Sequence, residues 1–186
     1  MSLRVISGTA KGRKLKPVPG DSTRPITDRV KESLFNILAG DVVNSSWWDV
    51  FSGTGSVGIE AISRGAKLVR FVDLDRKAIE TIRSNVMHVG FSSVSEIRRG
   101  DAFVMLSAVP DKRFNFVYIA PPQYHDLWSK TLIALDANID WLDDDACVII
   151  QIHPKEYQEL TLINLQEYDQ RKYGSTLLVF YELAAS

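Results

Sequence analysis

Asp49-Val50-Phe51-Ser52-Gly53-Thr54-Gly55-Ser56-Val57-Gly58-Ile59-Glu60-Ala61 decides how the rest of this chain reads. An apolar run led by Trp47 and Trp48 enters it, and glycines fall at 53, 55 and 58. An amphipathic helical pattern follows at once. This is a strand that turns tightly into a helix, with no Cβ atoms where a ligand would lie. Glycine admits left-handed backbone angles and the close approach of another group. The stretch therefore predicts a bound nucleotide-like cofactor.

Outward from it, strand and helix alternate. Strands are expected near 47–51, 67–73, 94–98, 114–119 and 145–152, and helices near 56–64, 75–89, 102–107 and 125–136. Short connections between such elements imply a mostly parallel sheet covered on both faces. The tail breaks the rhythm. Residues 161–171 and 176–183 read as strands joined through Tyr173-Gly174-Ser175, too short a link for a crossover, so they form an antiparallel hairpin. Before the glycine stretch, 3–7 and 12–18 read as a hairpin around Gly8-Thr9-Ala10-Lys11-Gly12. A helix then starts at Thr27-Asp28, with Val30, Leu34, Ile37 and Leu38 along one face. The division expected is an arm over 1–26 and an α/β domain over 27–186.

At 186 residues the chain can bury one sizeable core, and 45% hydrophobic with 24% charged residues is ordinary for a globular protein. No apolar run approaches the roughly 20 residues of a membrane span. The start carries no signal-peptide pattern, and a single cysteine, Cys147, excludes an internal disulfide, so a cytoplasmic location is expected. The three histidines, His88, His125 and His153, lack metal-ligand spacing, and no metal is expected. The formal charge of −1 conceals an asymmetry: residues 1–35 hold eight basic and three acidic side chains, and the remainder is net acidic. A basic arm on an acidic body points to a polyanion. Arg4, Lys11, Arg13, Lys14 and Lys16 on the hairpin, with Arg24 and Arg29 about the helix start, are the phosphate-binding candidates, and the 24–29 block is alternatively placed to close over a cofactor.

The glycine motif alone fits several nucleotide-like cofactors. The acids narrow it. Asp49 precedes the first glycine inside the strand, where a carboxylate suits an ammonium group better than a pyrophosphate. Asp73, about 20 residues past the glycines, suits ribose hydroxyls. Asp101 after the third strand suits an adenine amino group. Asp73 and Asp101 are equally placed to cap the helices that follow them. Three acids at three successive strand ends resemble class I S-adenosylmethionine-dependent methyltransferases, whose first acid approaches the methionine amino group, the second the ribose and the third the adenine. That resemblance implies a cofactor-binding set of Asp49, Phe51, Gly53, Thr54, Gly55, Asp73, Leu74, Asp101 and Ala102.

The fourth strand ends in Ala120-Pro121-Pro122-Gln123-Tyr124. Paired prolines stiffen the backbone, remove N–H donors and leave carbonyls at the strand's carboxyl end, where α/β ligands bind. The position resembles the Asp/Asn-Pro-Pro-aromatic motif of methyltransferases that act on exocyclic base amines. There an acceptor side chain and a proline carbonyl orient the amine, and the aromatic ring stacks on a flipped base.

Arg4-Val5-Ile6-Ser7-Gly8, Lys11-Gly12-Arg13, the block from Thr23-Arg24-Pro25 to Asn36-Ile37-Leu38, Glu60-Ala61-Ile62-Ser63-Arg64-Gly65-Ala66, Asn85 and Tyr173-Gly174 resemble the RsmD family nearly end to end. The resemblance implies transfer of a methyl group to guanine N2 of 16S ribosomal RNA within a small-subunit particle, with no obligate protein partner. It departs from the pattern at the chemistry: Ala120 stands where the family has an acid, and Gln123 stands at the aromatic position with Tyr124 one later. The implied catalytic set is Ala120, Pro121, Pro122, Gln123 and Tyr124. Two other readings stand beside it. One is a cofactor- and RNA-binding relative with weak or altered activity. The other is a DNA adenine amino-methyltransferase, disfavoured by the lack of a target-recognition domain.

Overall fold

The computed structural model describes residues 3–20 and 25–185. The elements follow in the order α1 (Asp28–Leu38), β1 (Ser46–Asp49), α2 (Ser56–Ser63), β2 (Leu68–Asp73), α3 (Arg76–Val89), β3 (Ser95–Arg99), α4 (Ala102–Leu106), β4 (Phe114–Ile119), α5 (Leu127–Asp136), β5 (Leu142–Ile152), β6 (Leu165–Tyr173) and β7 (Thr176–Leu183). The sheet has seven strands in the order β3-β2-β1-β4-β5-β7-β6. β1 pairs in parallel with both β2 and β4, so the order reverses at β1 and opens a crevice at the strands' carboxyl ends. β7 inserts antiparallel between β5 and β6.

Trp47 and Trp48 show how the layers are made. Adjacent residues in a strand point to opposite faces. Trp47 stacks on Phe116 at 4.6 Å and Phe35 at 5.4 Å, beneath α1 and α2. Trp48 packs on Trp141 at 4.7 Å across the sheet. Each heads a core: Phe71, Ile82, Ile149 and Phe180 join the first, and Val72, Val117, Trp128 and Val179 the second. α1 is capped by Thr27, whose side chain accepts from Val30 N–H at 3.3 Å, and it buries Val30, Leu34, Phe35 and Leu38.

Most expected elements fall within a few residues of their places, with three differences. The N-terminal hairpin closes through a single antiparallel bridge, Arg4 to Lys14, rather than strands over 3–7 and 12–18. Its polar groups turn instead toward the neighbouring helices, where Glu60, Ser63 and Asn85 meet them. β5 begins at Leu142 rather than near 145, so Asp143-Asp144-Asp145 falls inside it, in a register irregularity between the pairs Leu142–Phe114 and Cys147–Phe116. Asp144 and Asp145 stay exposed on that strand, and Asp143 accepts from Asn115 Nδ2 at 3.0 Å, so the acids need no burial to be strand. β6 starts four residues later than expected, at Leu165, after Asp136 has gathered the N–H groups of Ile163, Asn164 and Leu165. Among the described residues, no helix is long and apolar enough to cross a membrane.

Candidate active site

The carboxyl ends of β1, β2, β3 and β4 surround a cavity of ≈ 670 Å³. Its shape begins with the turn after β1. Gly53 and Gly55 adopt φ of +54° and +77°, angles that side chains resist. Gly55 N–H donates to Ser52 O at 2.8 Å, and α2 starts one residue later. Gly58 is needed for another reason. A Cβ there would lie 2.3 Å from the Phe71 ring, so this glycine seats α2 on the sheet.

Asp49 ends β1 and lines the cavity, 1% exposed, with neither carboxylate oxygen hydrogen-bonded. Burial, then the charge of Asp73, pushes its carboxyl up to about 8; the Gly58 N–H pulls the other way but closes no hydrogen bond. A buried carboxyl without partners is costly unless a cation or donor enters beside it. Asp73 accepts Gly53 N–H and Asp75 N–H at 2.9 Å each, one bond per oxygen, which leaves acceptor capacity on both. It does not cap α3, since Asp75 does. Asp101 does cap α4: one of its oxygens accepts from Phe103 and Val104 N–H at 2.7 and 3.2 Å. Its other oxygen accepts nothing among the described residues, and the residue also lines the cavity.

Phe51, Gly53, Thr54, Leu74, Ala102, Ala120, Pro121, Pro122 and Gln123 join these acids on the cavity wall. Two expected residues do not. Gly55 lies behind the wall, facing Ile82 and Phe71. Tyr124 is 65% exposed and turned away, at φ +65°, with its N–H on Glu156 at 2.7 Å and its ring 5.9 Å from His153. The substituted sequence moves the aromatic residue one place along the loop, onto the outer side of this turn. His125 is exposed and off the wall, and α5 begins only at Leu127.

Residues that sequence reasoning missed complete the wall. Tyr118 and Gln151 line its floor, the Tyr118 hydroxyl donating to Gln151 Oε1. Pro25 and Ile26, from the 24–29 block expected either on phosphates or over the cofactor, close it from the side of α1. Behind it, Asn85 on α3 donates to Thr54 O and Lys16 O at 3.0 Å each and accepts Lys16 N–H at 2.8 Å. Lys31, wholly buried, donates to Arg4 O at 2.6 Å and to Ser56 Oγ at 2.9 Å, and stands 3.5 Å from Glu60. The signal for both was present as a polar residue on the buried face of an amphipathic helix.

Of the phosphate-binding candidates, Lys11, Lys14 and Arg29 are exposed and in no ion pair among the described residues. Arg4 pairs with Asp28 at 2.9 Å, Arg13 donates to His88 O, and Lys16 donates to Ser84 Oγ at 3.1 Å. Arg24 lies outside the described residues. Among the described residues, no group of three or more His, Cys, Asp or Glu is arranged to hold a metal ion.

A doubly wound sheet whose penultimate strand in space is the antiparallel β7, with an acid-lined cavity at the strand ends, is the class I methyltransferase fold. The chain belongs to the family of the ribosomal RNA small subunit methyltransferase D proteins, whose family model, described as conserved hypothetical protein 95, matches residues 3–182. It is 31% identical over 183 residues to ribosomal RNA small subunit methyltransferase D of Haemophilus influenzae, covering 97% of this chain and 92% of that protein. It is 37% identical to YlbH of Bacillus subtilis, provisionally named an rRNA methyltransferase, over 97% of this chain and 98% of that one. The solved structure of yhhF from Escherichia coli, described as a candidate methyltransferase, superposes with a TM-score of 0.88 at 28% identity, covering 100% of both chains.

Proposed function

We propose that this protein transfers a methyl group from S-adenosylmethionine to the exocyclic N2 of a guanine in 16S rRNA, acting in the cytoplasm on a small-subunit particle. The observation that carries the reading is Asp49: a buried carboxyl with no partner, at the floor of a cavity whose rim holds Asp73 and Asp101. Such a group fits the α-ammonium of an amino-acid cofactor. Asp73 would take ribose hydroxyls on its spare lone pairs, and the free oxygen of Asp101 would accept from adenine N6. Leu74, Phe51 and Ala102 supply apolar walls beside it. The names of the relatives support rRNA as the acceptor.

When bound, the cofactor supplies an electrophilic methyl group on a sulfonium. The chain's part is placement. Guanine N2 is a poor nucleophile because its lone pair is delocalised into the ring. Backbone carbonyls at Ala120 and Pro121 would accept from the amine and hold that lone pair toward the methyl. The Gln123 amide oxygen would stand in for the acid missing at 120. Tyr124 would have to turn inward from its outward position to stack on the base. Holding the reactants in line then accounts for much of the rate. In this reading residues 1–26 are the RNA-contacting arm and 27–186 the methyltransferase domain, with Lys11, Lys14 and Arg29 on phosphates.

Mapping N2-methylguanine in small-subunit RNA, from cells with and without the protein, tests the assignment. Loss of one such nucleotide supports it, and an unchanged map overturns it. Gln123→Ala should cut methyl transfer by about 10²–10³-fold while sparing S-adenosylhomocysteine binding. Unchanged turnover removes Gln123 from the chemistry.

A further inference from the structure

The floor of the cavity on its acceptor side is a polar pair that the reading above leaves unused. Side-chain alternation puts Asp49 on β1, Tyr118 and Ala120 on β4, and Gln151 on β5 on the same face of the sheet. Asp49 is the register partner of Tyr118, and the register Ile119–Ile150 carries on to set Gln151 beside Ala120. The three polar side chains therefore form a row across three adjacent strand ends, and the row passes the position where the acid is missing. Tyr118 is 3% exposed and its hydroxyl donates to Gln151 Oε1. Burial, and then the neighbouring Asp49, raise the phenol well above its ordinary value, so the hydroxyl keeps the proton it donates here. In this arrangement the oxygen of the Gln151 amide takes the Tyr118 bond, so Nε2 is the atom left with no partner within the described residues while the side chain lines the cavity.

We propose that Gln151 is a base-binding residue: oriented by Tyr118, it donates from Nε2 to an acceptor atom of the base whose amine lies at Ala120 and Pro121. The inference rests on the reading of the protein as a base amino-methyltransferase. Gln151 thereby differs from Gln123. Gln123 offers an acceptor to the amine, whereas Gln151 offers a donor to the ring. Tyr118 is a positioning residue that acts through Gln151.

The sign of one substitution decides it. Methyl transfer to undermethylated small-subunit particles is measured for the wild type, Gln151→Glu, Gln151→Ala and Tyr118→Phe, each checked for unchanged S-adenosylhomocysteine affinity. Gln151→Ala loses one neutral hydrogen bond to the base, so kcat/KM for RNA falls about tenfold. Gln151→Glu, assayed at a pH where its carboxyl is ionised, offers only acceptors and repels an acceptor atom, so it falls further than Gln151→Ala. Tyr118→Phe releases the amide and gives a smaller loss, carried by KM. If Gln151→Glu matches or exceeds the wild type, the side chain serves as an acceptor for the amine and the proposal is wrong. Variants indistinguishable from an active wild type overturn the proposal alone. A wild type that methylates no RNA overturns the functional reading and this inference together.

Discussion

Replacing Asp49 with Asn separates what this carboxyl costs the fold from what it gives the ligand. Its carboxyl moves from 3.8 in the unfolded chain to about 8 in the folded one. The folded state therefore keeps a proton that the unfolded state releases, and its stability is full below about pH 4 and declines as pH rises through about 8. At about 1.4 kcal/mol per pH unit the whole span is worth about 6 kcal/mol. Asn is nearly isosteric and does not titrate. In urea unfolding, Asp49→Asn should match the wild type near pH 4 and exceed it by several kcal/mol, up to about 6, near pH 8.5. Ligand binding should show the opposite preference. An ammonium entering beside Asp49 favours the charged form and drives the proton off. Wild-type affinity for S-adenosylhomocysteine should therefore climb about tenfold per pH unit from about 6 and flatten near 8, with about one proton released per ligand at pH 6.5. Calorimetry in buffers of different ionisation heat counts that proton. Asp49→Asn should bind weakly, with neither the slope nor the proton. A wild-type affinity that is flat between pH 6 and 8, or an Asn variant no more stable than the wild type at pH 8.5, would refute the argument that this carboxyl is an unsatisfied site for a cation.

Gly58→Ala should lower stability by about 1–3 kcal/mol, read as a fall in Tm, because the new Cβ meets the Phe71 ring at 2.3 Å in a closed core. Lys31→Met should cost about 3 kcal/mol in urea unfolding, since it leaves Glu60 buried with one cation fewer; a loss under 1 kcal/mol would show that Arg64 and the backbone satisfy Glu60 alone. Replacing Lys11 and Lys14 together with Ala should flatten the salt dependence of RNA binding by about two in log–log slope and leave S-adenosylhomocysteine affinity unchanged. An unaltered slope takes the arm out of the RNA interface.

The sheet was legible because each layer announces itself twice, once by alternation and once by the turn residues at its ends. Gly53 and Gly55 foretold a tight turn, and the structure puts both at positive φ. The cavity acids were legible because strand ends are where α/β ligands bind, and Asp49, Asp73 and Asp101 all reach one cavity. What stayed hidden depends on partners distant in sequence. Gln151 reads as one polar residue in an apolar strand, and only the pairing of β4 with β5 sets it against Tyr118 and Ala120. The outward turn of Tyr124 likewise depends on Glu156, 32 residues away. Asp143-Asp144-Asp145 was hidden in the same way: the three acids lie in an irregularity of β5 between its pairs Leu142–Phe114 and Cys147–Phe116, where Asp144 and Asp145 stay exposed, and only the pairing with β4 shows that the strand starts before them.

The N-terminal arm has a property that bears on how it could meet RNA. Helix side chains hold it by its backbone. Glu60 accepts Ile6 and Ser7 N–H at 2.8 and 3.0 Å, Ser63 Oγ accepts Ala10 N–H at 2.9 Å, Asn85 grips both backbone groups of Lys16, and Lys31 takes Arg4 O. A Cβ on Gly8 would lie 1.8 Å from Ser63 O, so the arm lies as close to α2 as a chain can. A segment secured largely through its main chain, with Arg4, Arg13 and Lys16 adding side-chain contacts, does not call on Lys11 or Lys14 for anchorage, and both are exposed. Asn85 and Lys31 also touch Thr54 and Ser56, residues of the cavity wall. The arm proposed to meet phosphates and the turn that shapes the cavity are thus braced by the same two side chains, so on that reading a substitution at either should disturb both RNA binding and ligand binding, unlike one at Lys11 or Lys14.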